Sequence, residues 1–188
     1  MAKTLDPDVL SQIVKKCVGL PREELMDAIT EEVGKRYPKL YIRKKRRWCF
    51  SVAGGAMMQI AFVYGSLTEY LLFAQTPIGT EGHSGMYLAT DLWDWMLDGE
   101  MWRFPLGATE RTVYKAGELA LLPKGGEGDG FCVKDHALML EYARGFIPFM
   151  MPFGYADGMF STLDYKSLRH QMWDYSKLCT RNMLRGRI

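Results

Sequence analysis

The sequence lacks the long apolar segments that mark proteins inserted in membranes. Its longest mostly apolar stretches, 50–64 and 146–160, are interrupted by glycine and, in the second, by proline. Neither supplies the roughly 20 apolar residues that a spanning helix requires. The first residues contain no apolar segment of the signal-peptide type. We therefore expect a protein that has no transmembrane helix and is cytoplasmic, or peripheral on a cytoplasmic-side membrane surface.

Cysteine and histidine are both scarce. The four cysteines are far apart and form no C-x-x-C pair, so the sequence predicts no disulfide framework and indicates a reducing compartment. The three histidines fall in three different parts of the chain, whereas a metal site needs its ligands clustered. We therefore expect no bound metal and no other cofactor.

Charge is nearly balanced but unevenly distributed. The net charge of +2 lacks the domain-wide basic excess of a dedicated nucleic-acid binder. Basic residues occur in the run 43–47 (RKKRR) and again from Lys166 onward. Basic segments on either side of an apolar middle suit attachment to a membrane surface, although a run such as 43–47 can equally be a solvated face.

The two ends of the chain have helical patterns. Asp6 is placed to cap a helix that has Pro7 in its first turn, and a second helix is predicted from Pro21 to Tyr37, where Pro38 ends it. From residue 146 onward the pattern is helical again, with a start signal at 161–164.

The middle of the chain reads mainly as short strands. One short helix is predicted near 56–64, followed by strands separated by glycine and proline turns. This spacing is typical of a sandwich or a small barrel, and the absence of repeats and linkers indicates one α+β domain over 1–188. The predicted strands are 70–74, 86–92, 112–114, 118–122, 130–133 and 137–142.

Several segments, in a fixed order, resemble the landmarks of one protein family. They are 53–55 (AGG), 66–70 (SLTEY), 76–85 (TPIGTEGHSG), 140–148 (LEYARGFIP), 152–157 (PFGYAD) and 160–164 (FSTLD). The chain resembles the family that joins the fungal-type sterol Δ8–Δ7 isomerases to the sigma-1 receptor. The segments 77–83 (PIGTEGH) and 150–155 (MMPFGY) resemble the isomerase branch more closely than the receptor.

The resemblance implies a cupin-like β-barrel with N-terminal helices and with two C-terminal helices packed over the barrel opening. The corresponding segments are 1–47 for the N-terminal helices and basic run, 48–145 for the barrel, and 146–188 for amphipathic helices that face a membrane. It also implies a possible homotrimer. Eukaryotic members carry a transmembrane helix ahead of the Asp6-Pro7-Asp8 segment, and here residues 1–5 precede it. We therefore expect peripheral attachment through apolar and basic residues of the C-terminal helices.

The chemistry implied by the resemblance requires a carboxyl group in an apolar cavity. Moving a double bond from Δ8 to Δ7 adds a proton at one carbon and removes another nearby, with a carbocation in between. Burial keeps a carboxyl group protonated near neutral pH. Glu141 lies in the otherwise uncharged segment 137–143 and stands at the family position that pairs with cationic amines, so we expect it to be the central acid–base.

A second carboxylate is expected beside Glu141. Asp91 stands where the isomerase branch has the second of two adjacent acids, and Thr90 replaces the first. The receptor has another acidic residue close to its ligand. In this sequence the corresponding position is Trp93, or Asp94 if the alignment shifts by one residue. Asp91 is therefore predicted as the second catalytic group, and the loss of an acid at Thr90 favours a binder over an enzyme.

The resemblance also supplies a predicted ligand pocket. Tyr70 corresponds to the tyrosine that hydrogen-bonds the buried carboxylate. The predicted pocket residues are Glu141, Tyr70, Asp91, Ile60, Phe62, Leu72, Val133, Met151 and Tyr175.

Two functions follow from this resemblance. The first is isomerisation of a sterol or a similar polycyclic lipid, with Glu141 as acid–base and cation stabiliser. The alternative is a non-catalytic, sigma-1-receptor-like binder of amphiphilic amines or lipids. In both cases the expected partner is a sterol-like lipid or a hydrophobic cationic amine, with no nucleic acid.

Overall fold

The fold combines one antiparallel sheet with four helices. The computed structural model describes residues 4–187. Residues 1–3 of the predicted segment 1–47 and residue 188 of the predicted segment 146–188 lie outside this range. The helices are α1 (Pro7–Cys17), α2 (Arg22–Arg36), α3 (Met151–Phe160) and α4 (Tyr165–Met183). The strands are β1 (Cys49–Ala53), β2 (Ala56–Gly65), β3 (Glu69–Thr76), β4 (Thr80–His83), β5 (Thr90–Pro105), β6 (Thr112–Lys115), β7 (Leu119–Leu122) and β8 (Asp129–Gly145).

Two long strands organise the sheet. β5 and β8 pair along nearly their whole length, and the shorter strands extend the sheet on either side. The main path runs β1-β2-β3-β8-β5-β6, while β4 pairs with β8 and β7 pairs with β5. Every pairing is antiparallel. The predicted α+β class, with helices packed on an antiparallel sheet, is confirmed.

The sheet separates two apolar cores because side chains alternate between its faces. On β8, Leu138, Leu140 and Tyr142 join one core with α1 and α2. Met139 and Ala143 on the same strand join the other core, together with residues of α4. We call the face that carries the core with α1 and α2 the outer face, and the face that carries the core with α4 the inner face. The functional side chains discussed below lie on the inner face.

The start of the chain folds as its capping residues predict. The side chain of Asp6 accepts a hydrogen bond from the Asp8 backbone N–H at 2.9 Å, and Pro7 occupies the first turn of α1. The predicted second helix is confirmed as α2, which ends before Pro38. The following segment carries the basic run 43–47 to the first strand.

The helix predicted near 56–64 is wrong, because this segment forms β2. Gly54 and Gly55, both with positive φ, make the two-residue turn of a hairpin in which Ala53 pairs with Ala56. β2 then pairs with β1 on one side and β3 on the other. A strand buried on both faces reads as a continuous apolar run, and such a run cannot be distinguished from a buried helix by its periodicity.

The middle strands are longer than predicted. Segment 86–89 is not a strand, and β5 instead begins at Thr90 and continues to Pro105. Asp98 and Gly99 do not form one of the turns between strands, because a pair of register shifts within β5 falls here, with Gly99 at positive φ. Such bulges bend a strand without ending it. In the same way, the strands predicted at 130–133 and 137–142 form the single strand β8.

Helix α4 is fixed to the sheet by buried polar side chains. Asp164 caps its start by accepting a hydrogen bond from the Ser167 N–H at 3.0 Å. Gln171 donates to the Phe50 carbonyl oxygen at 2.6 Å, and the Tyr175 hydroxyl donates to the Ser66 carbonyl oxygen. These bonds pin one side of α4 to β1 and to the β2–β3 connection.

The basic run 43–47 takes part in the same anchoring. Arg43 and Arg47 both contact the buried carboxylate of Asp174 on α4, with N–O distances of 2.9 and 2.6 Å. Arg46 pairs instead with Glu23 and Asp27 of α2. Three residues of the run therefore connect the segment before β1 with α2 and with α4. Within residues 4–187, no helix has a stretch long and apolar enough to cross a membrane.

Candidate functional site

The inner face of the sheet and the helices α3 and α4 enclose a cavity. Its walls are mainly apolar and aromatic, with a few polar groups on β3, β5 and β8. Sites of this composition bind apolar ligands and orient them through the few polar contacts. The apolar and aromatic lining includes Met58, Ile60, Phe62, Leu72, Leu92, Phe131, Met139, Ile147, Met150, Met151, Phe153, Tyr155 and Tyr175.

Glu141 is the central polar group of the cavity. It lies on β8, and its Oε1 accepts a hydrogen bond from the Tyr70 hydroxyl at 2.5 Å. The surface it retains faces the cavity rather than the outside of the protein. Burial and, second, the charge of Asp94 raise the pKa of Glu141 to about 8, although the hydrogen bond from Tyr70 and the charge of Arg103 oppose this shift. The carboxyl group is thus mainly protonated at neutral pH.

Asp94 is the second carboxyl group of the cavity. Its Cα pairs with that of Glu141 across β5 and β8, and the residue is only 3% exposed. Burial raises the pKa of Asp94, whereas the neighbouring Arg103 guanidinium lowers it. The two carboxyl groups therefore titrate as a pair, because two like charges at this separation resist simultaneous ionisation.

Arg103 is the counter-ion of this pair. It lies further along β5, is 3% exposed, and donates from Nη2 to Oδ2 of Asp94. Among residues 4–187, no hydrogen-bond partner is found for Arg103 Nε and Nη1 or for Asp94 Oδ1. All three atoms are buried, and both residues line the cavity. The wall of the cavity therefore holds buried polar atoms for which residues 4–187 supply no hydrogen-bond partner.

Most of the predicted pocket residues line this cavity. Tyr70 and Glu141 form its polar centre, and Tyr175 on α4 packs its ring against Phe62 at a centroid distance of 5.5 Å. Val133 is buried on β8 in the inner core but is not part of the cavity wall. The predicted residues that line the cavity are Ile60, Phe62, Tyr70, Leu72, Glu141, Met151 and Tyr175.

Asp91, predicted as the second carboxylate, lies outside the cavity. Its side chain accepts a hydrogen bond from the Lys124 backbone N–H at 3.1 Å. Alternation along β5 directs Leu92 and Asp94 inward and leaves Asp91 on the same face as Trp93. This position corrects the prediction: Asp94, which the one-residue shift of register selected, is the acid beside Glu141.

The sequence analysis missed Arg103. A single arginine near the end of a long strand has no distinctive local pattern, and segment 93–105 was not predicted as a strand at all. Strand alternation was the available signal. It places Leu92, Asp94 and Met96 on one face, and after the two register shifts Met101 and Arg103 lie on that face too.

Helices α3 and α4 and the residues next to them also expose apolar side chains that do not line the cavity. Phe160 is 79% exposed and Trp173 57% exposed, and Lys177 holds its ammonium group 4.7 Å from the centre of the Trp173 ring. We call this surface the apolar helical surface. Its members are Phe149, Met159, Phe160, Leu163, Tyr165, Met172, Trp173, Met183 and Leu184.

Comparison with known proteins gives a match along almost the whole chain. The family model described as "ERG2 and Sigma1 receptor like protein" matches residues 2–187. The "Protein erg2 homolog" of Dictyostelium discoideum is 37% identical over 180 residues, 96% of this chain and 76% of the relative. The "C-8 sterol isomerase erg2" of Aspergillus fumigatus is 37% identical over 175 residues, 93% of this chain and 71% of the relative.

A receptor and a solved structure are also similar. The "Sigma non-opioid intracellular receptor 1" of Gallus gallus is 31% identical over 172 residues, 91% of this chain and 77% of the relative. Among solved structures, KdgF from Halomonas sp. matches with a TM-score of 0.44 and 15% identity, covering 56% of this chain and 92% of that one. The similarity in sequence thus extends over far more of the chain than this similarity in structure.

Proposed function

The chain belongs to the ERG2 and Sigma1 receptor-like protein family, and from this premise we propose that it is an isomerase that moves a ring double bond of a sterol or a similar polycyclic lipid. The observation that carries the proposal is the pair Glu141 and Asp94, two carboxyl groups opposite each other in an apolar cavity. Such a pair offers one proton and one base to the same ligand. The reaction is an isomerisation, so atoms and electrons balance without any co-reactant.

Glu141 is the proposed acid. With a pKa of about 8 it carries a proton at neutral pH, and it faces the space that the ligand would fill. It donates this proton to one carbon of the double bond, which leaves a carbocation on the other. The Tyr70 hydroxyl, already bonded to Oε1, stabilises the carboxylate that remains. An apolar site strengthens the attraction between this carboxylate and the cation.

Asp94 is the proposed base. Arg103 contacts Asp94 and not Glu141, so it favours the negative charge on Asp94. Asp94, which lines the cavity, takes a proton from the carbon next to the cation, and the electron pair of that C–H bond forms the new double bond. Release of the proton from Asp94 to solvent and uptake of a solvent proton by Glu141 restore the starting state.

The same cavity supports the alternative of a non-catalytic binder of hydrophobic amines. A protonated amine imitates the charge of the carbocation, and it would draw the proton from Glu141 and pair with the carboxylate. Phe62 and Tyr70 line the same cavity, and an aromatic ring attracts a cation placed over its face. The relative named as a sigma receptor favours keeping this function as the second candidate.

We also propose that the apolar helical surface rests on a membrane. Single exposed apolar residues are common, but here Phe160, Leu163 and Trp173 lie close in sequence with Lys166 and Arg169 between them. This arrangement suits apolar insertion combined with attraction to anionic lipid. The homotrimer implied by the family resemblance stays a prediction, which light scattering of the purified protein tests directly.

Isomerase activity is tested with a Δ8 sterol carried in cyclodextrin and incubated with the protein in heavy water. We expect a Δ7 product that contains one deuterium, since Glu141 exchanges its proton with solvent between turnovers. Gas chromatography with mass spectrometry separates the two sterols and counts the label. Sterol binding without conversion and without label would overturn the isomerase and favour the binder.

A further inference from the structure

The cavity has a second polar region besides the carboxyl pair. It lies where β4 and the residues that follow it meet the β1–β2 hairpin and α3, and His83, Ser84 and Tyr87 line the cavity there. The backbone N–H of His83 donates to the Gly54 carbonyl oxygen at 2.8 Å. The ring of Tyr87 packs edge to face against Phe153 of α3, with a centroid distance of 5.6 Å. We call His83, Ser84 and Tyr87 the donor corner.

Tyr87 supplies an unpaired hydroxyl group to this corner. The residue is 9% exposed, and its side chain makes no hydrogen bond among residues 4–187, where only its carbonyl oxygen is bonded, to the Gly125 N–H. The hydroxyl of Tyr64 is also unpaired but is fully enclosed, whereas that of Tyr87 retains accessible surface. A tyrosine hydroxyl in a buried position usually has a partner. A ligand in the cavity can supply the missing one.

The two neighbouring polar side chains have donors to spare. The backbone of Gly85 approaches Tyr87 so closely that a Cβ at position 85 would lie 2.6 Å from the hydroxyl oxygen. Directly before it, Ser84 Oγ accepts from the Asp129 N–H at 2.8 Å and keeps its own proton for donation. His83 Nδ1 accepts from the Gly85 N–H at 2.9 Å, so the neutral imidazole carries its proton on Nε2. The donor corner therefore offers two O–H groups and one N–H group.

An oxygen atom of a ligand fits this set of donors. A hydroxyl or carbonyl oxygen accepts up to two hydrogen bonds, and a hydroxyl can also donate to the oxygen of Tyr87 or Ser84. A hydrocarbon leaves these groups unpaired, which is costly in a buried position. An ammonium group has no lone pair to offer, and the carboxyl pair attracts it instead.

The donor corner and the proposed acid face the same space. Burial and, second, the charge of Glu141 raise the pKa of Tyr87, so its hydroxyl lies within electrostatic range of Glu141 and stays protonated as a donor. The two sites nevertheless use different residues. None of His83, Ser84 and Tyr87 transfers a proton in the proposed reaction.

We propose that the donor corner is a subsite for the ring oxygen of the ligand, and that it selects polycyclic alcohols and ketones and sets their orientation. The oxygen binds Tyr87, with Ser84 and His83 as the other donors. In a Δ8 sterol the hydroxyl and the double bond belong to one rigid ring system, so holding the hydroxyl here fixes how the double bond meets Glu141. The inference rests on the proposed function for its choice of a sterol.

Three ligands that differ only at one ring position test the subsite. Binding of a Δ8 sterol with its 3-hydroxyl is compared with binding of the 3-ketone and of the 3-deoxy analogue, by titration calorimetry in cyclodextrin. We expect the alcohol and the ketone to bind at least about fivefold more tightly than the deoxy analogue, as for one hydrogen bond. If the alcohol were preferred and the ketone bound like the deoxy analogue, the hydroxyl would be donating to a carboxylate, and the subsite would be wrong.

Two conservative substitutions assign the preference to the donor corner. Tyr87→Phe removes only the hydroxyl and keeps the ring packed on Phe153. His83→Asn puts an amide oxygen near the position of Nδ1, to keep the bond from Gly85, and removes Nε2. The double variant Tyr87→Phe/His83→Asn should bind all three ligands with affinities within about twofold of one another. The control Tyr114→Phe removes a tyrosine hydroxyl that packs on the inner core outside the cavity, and it should keep the preference.

The outcomes separate the subsite from the isomerase reaction. Equal affinity of the wild-type protein for the three ligands would overturn the subsite, whether or not the double variant folds. An unchanged preference in folded Tyr87→Phe would overturn it too. Preference for the oxygen-bearing ligands without any shift of the double bond would support the subsite and contradict the isomerase. Equal binding and equal conversion of the alcohol and the deoxy analogue would do the reverse, and absence of binding to any of the three would overturn both.

Discussion

Asp94 and Glu141 face each other across β5 and β8, so two carboxyl groups occupy directly opposed positions on the inner face of one sheet. Like charges in such a position destabilise a sheet. Here the repulsion between the two carboxyl groups is reduced in two ways. Arg103 pairs with Asp94, and the raised pKa of Glu141 keeps that group neutral. An arrangement that needs this much compensation in an apolar interior is typical of a functional site.

Replacement of Glu141 by glutamine tests the acid. Glu141→Gln keeps the shape and the place of the bond to Tyr70 but carries no transferable proton. We expect isomerisation to fall at least about 100-fold, within the range for loss of a general acid–base. Affinity for hydrophobic amines should fall by about 2–5 kcal/mol through loss of the buried ion pair. Sterol turnover and amine titration measure the two effects.

The matched control is Asp91→Asn. Asp91 was the carboxylate predicted from the sequence, and it lies outside the cavity. We expect this variant to keep wild-type turnover and amine affinity. If Asp91→Asn were as damaging as Glu141→Gln, the assignment of the pair would be wrong, and circular dichroism of both variants excludes unfolding as the cause.

Activity should depend on pH through the protonated form of Glu141. The pKa of about 8 means that the acid is present below pH 8 and is lost above it. We expect kcat/KM to fall about tenfold for each pH unit above 8. The bond from Tyr70 lowers the pKa of Glu141, so Tyr70→Phe should move this decline to higher pH. A decline that stayed at the same pH in Tyr70→Phe would contradict the assignment.

Stability should depend on pH through the same group. The pKa of Glu141 is higher in the folded protein than its ordinary value of 4.5, so between pH 4.5 and 8 the unfolded chain loses this proton while the folded chain retains it. The contribution of Glu141 to the free energy of unfolding is therefore largest below pH 4.5 and declines as the pH rises to 8. Urea unfolding of wild-type and Glu141→Gln proteins at several pH values measures it. The difference between the two proteins should change across this window.

Asp174 should be important for holding α4 on the barrel. Its buried carboxylate is shared by Arg43 and Arg47, so Asp174→Asn leaves two cations with weaker partners. We expect the free energy of unfolding to fall by about 1–3 kcal/mol, less than for a fully buried pair because both arginines are partly exposed. Chemical denaturation measures it. Asp135→Asn, at an exposed carboxylate bonded only to the adjacent His136, should change stability by less than about 0.5 kcal/mol.

Vesicle binding tests the apolar helical surface. We expect sedimentation with vesicles that contain anionic lipid, and release at high salt because screening weakens the attraction. Phe160→Ala/Trp173→Ala should reduce binding, while Leu106→Ala, at an exposed leucine in the β5–β6 loop, should not. Binding that salt does not affect, or no binding to any vesicle, would count against a peripheral attachment.

The sequence predicted the parts of the site that have strong local signals. Glu141 is a single charge in an apolar strand, and its bond from Tyr70 is present at 2.5 Å. The α+β class followed from short strands between helical ends. Asp6 and Asp164 were predicted as helix caps from the residues that follow them, and both caps are observed.

The missed features depend on contacts between distant parts of the chain. β2 was mistaken for a helix because apolar residues lie on both of its faces: Val63 joins the outer core, and Phe62 lines the cavity. Asp91 was chosen over Asp94 because a resemblance in sequence does not fix which residues of a strand face inward. The basic run 43–47 gave no hint of its partner Asp174, which lies on the last helix.

The order of the elements along the chain has a consequence for synthesis. Every strand of the barrel precedes α4, yet α4 supplies Gln171 and Tyr175, whose bonds to Phe50 and Ser66 close the cavity. On the ribosome, the apolar interior therefore stays uncovered until this last helix emerges. Until α4 emerges, the nascent protein exposes apolar surface of the kind that chaperones bind. A premature stop codon before α4 would release a product with an open interior, which quality control would degrade.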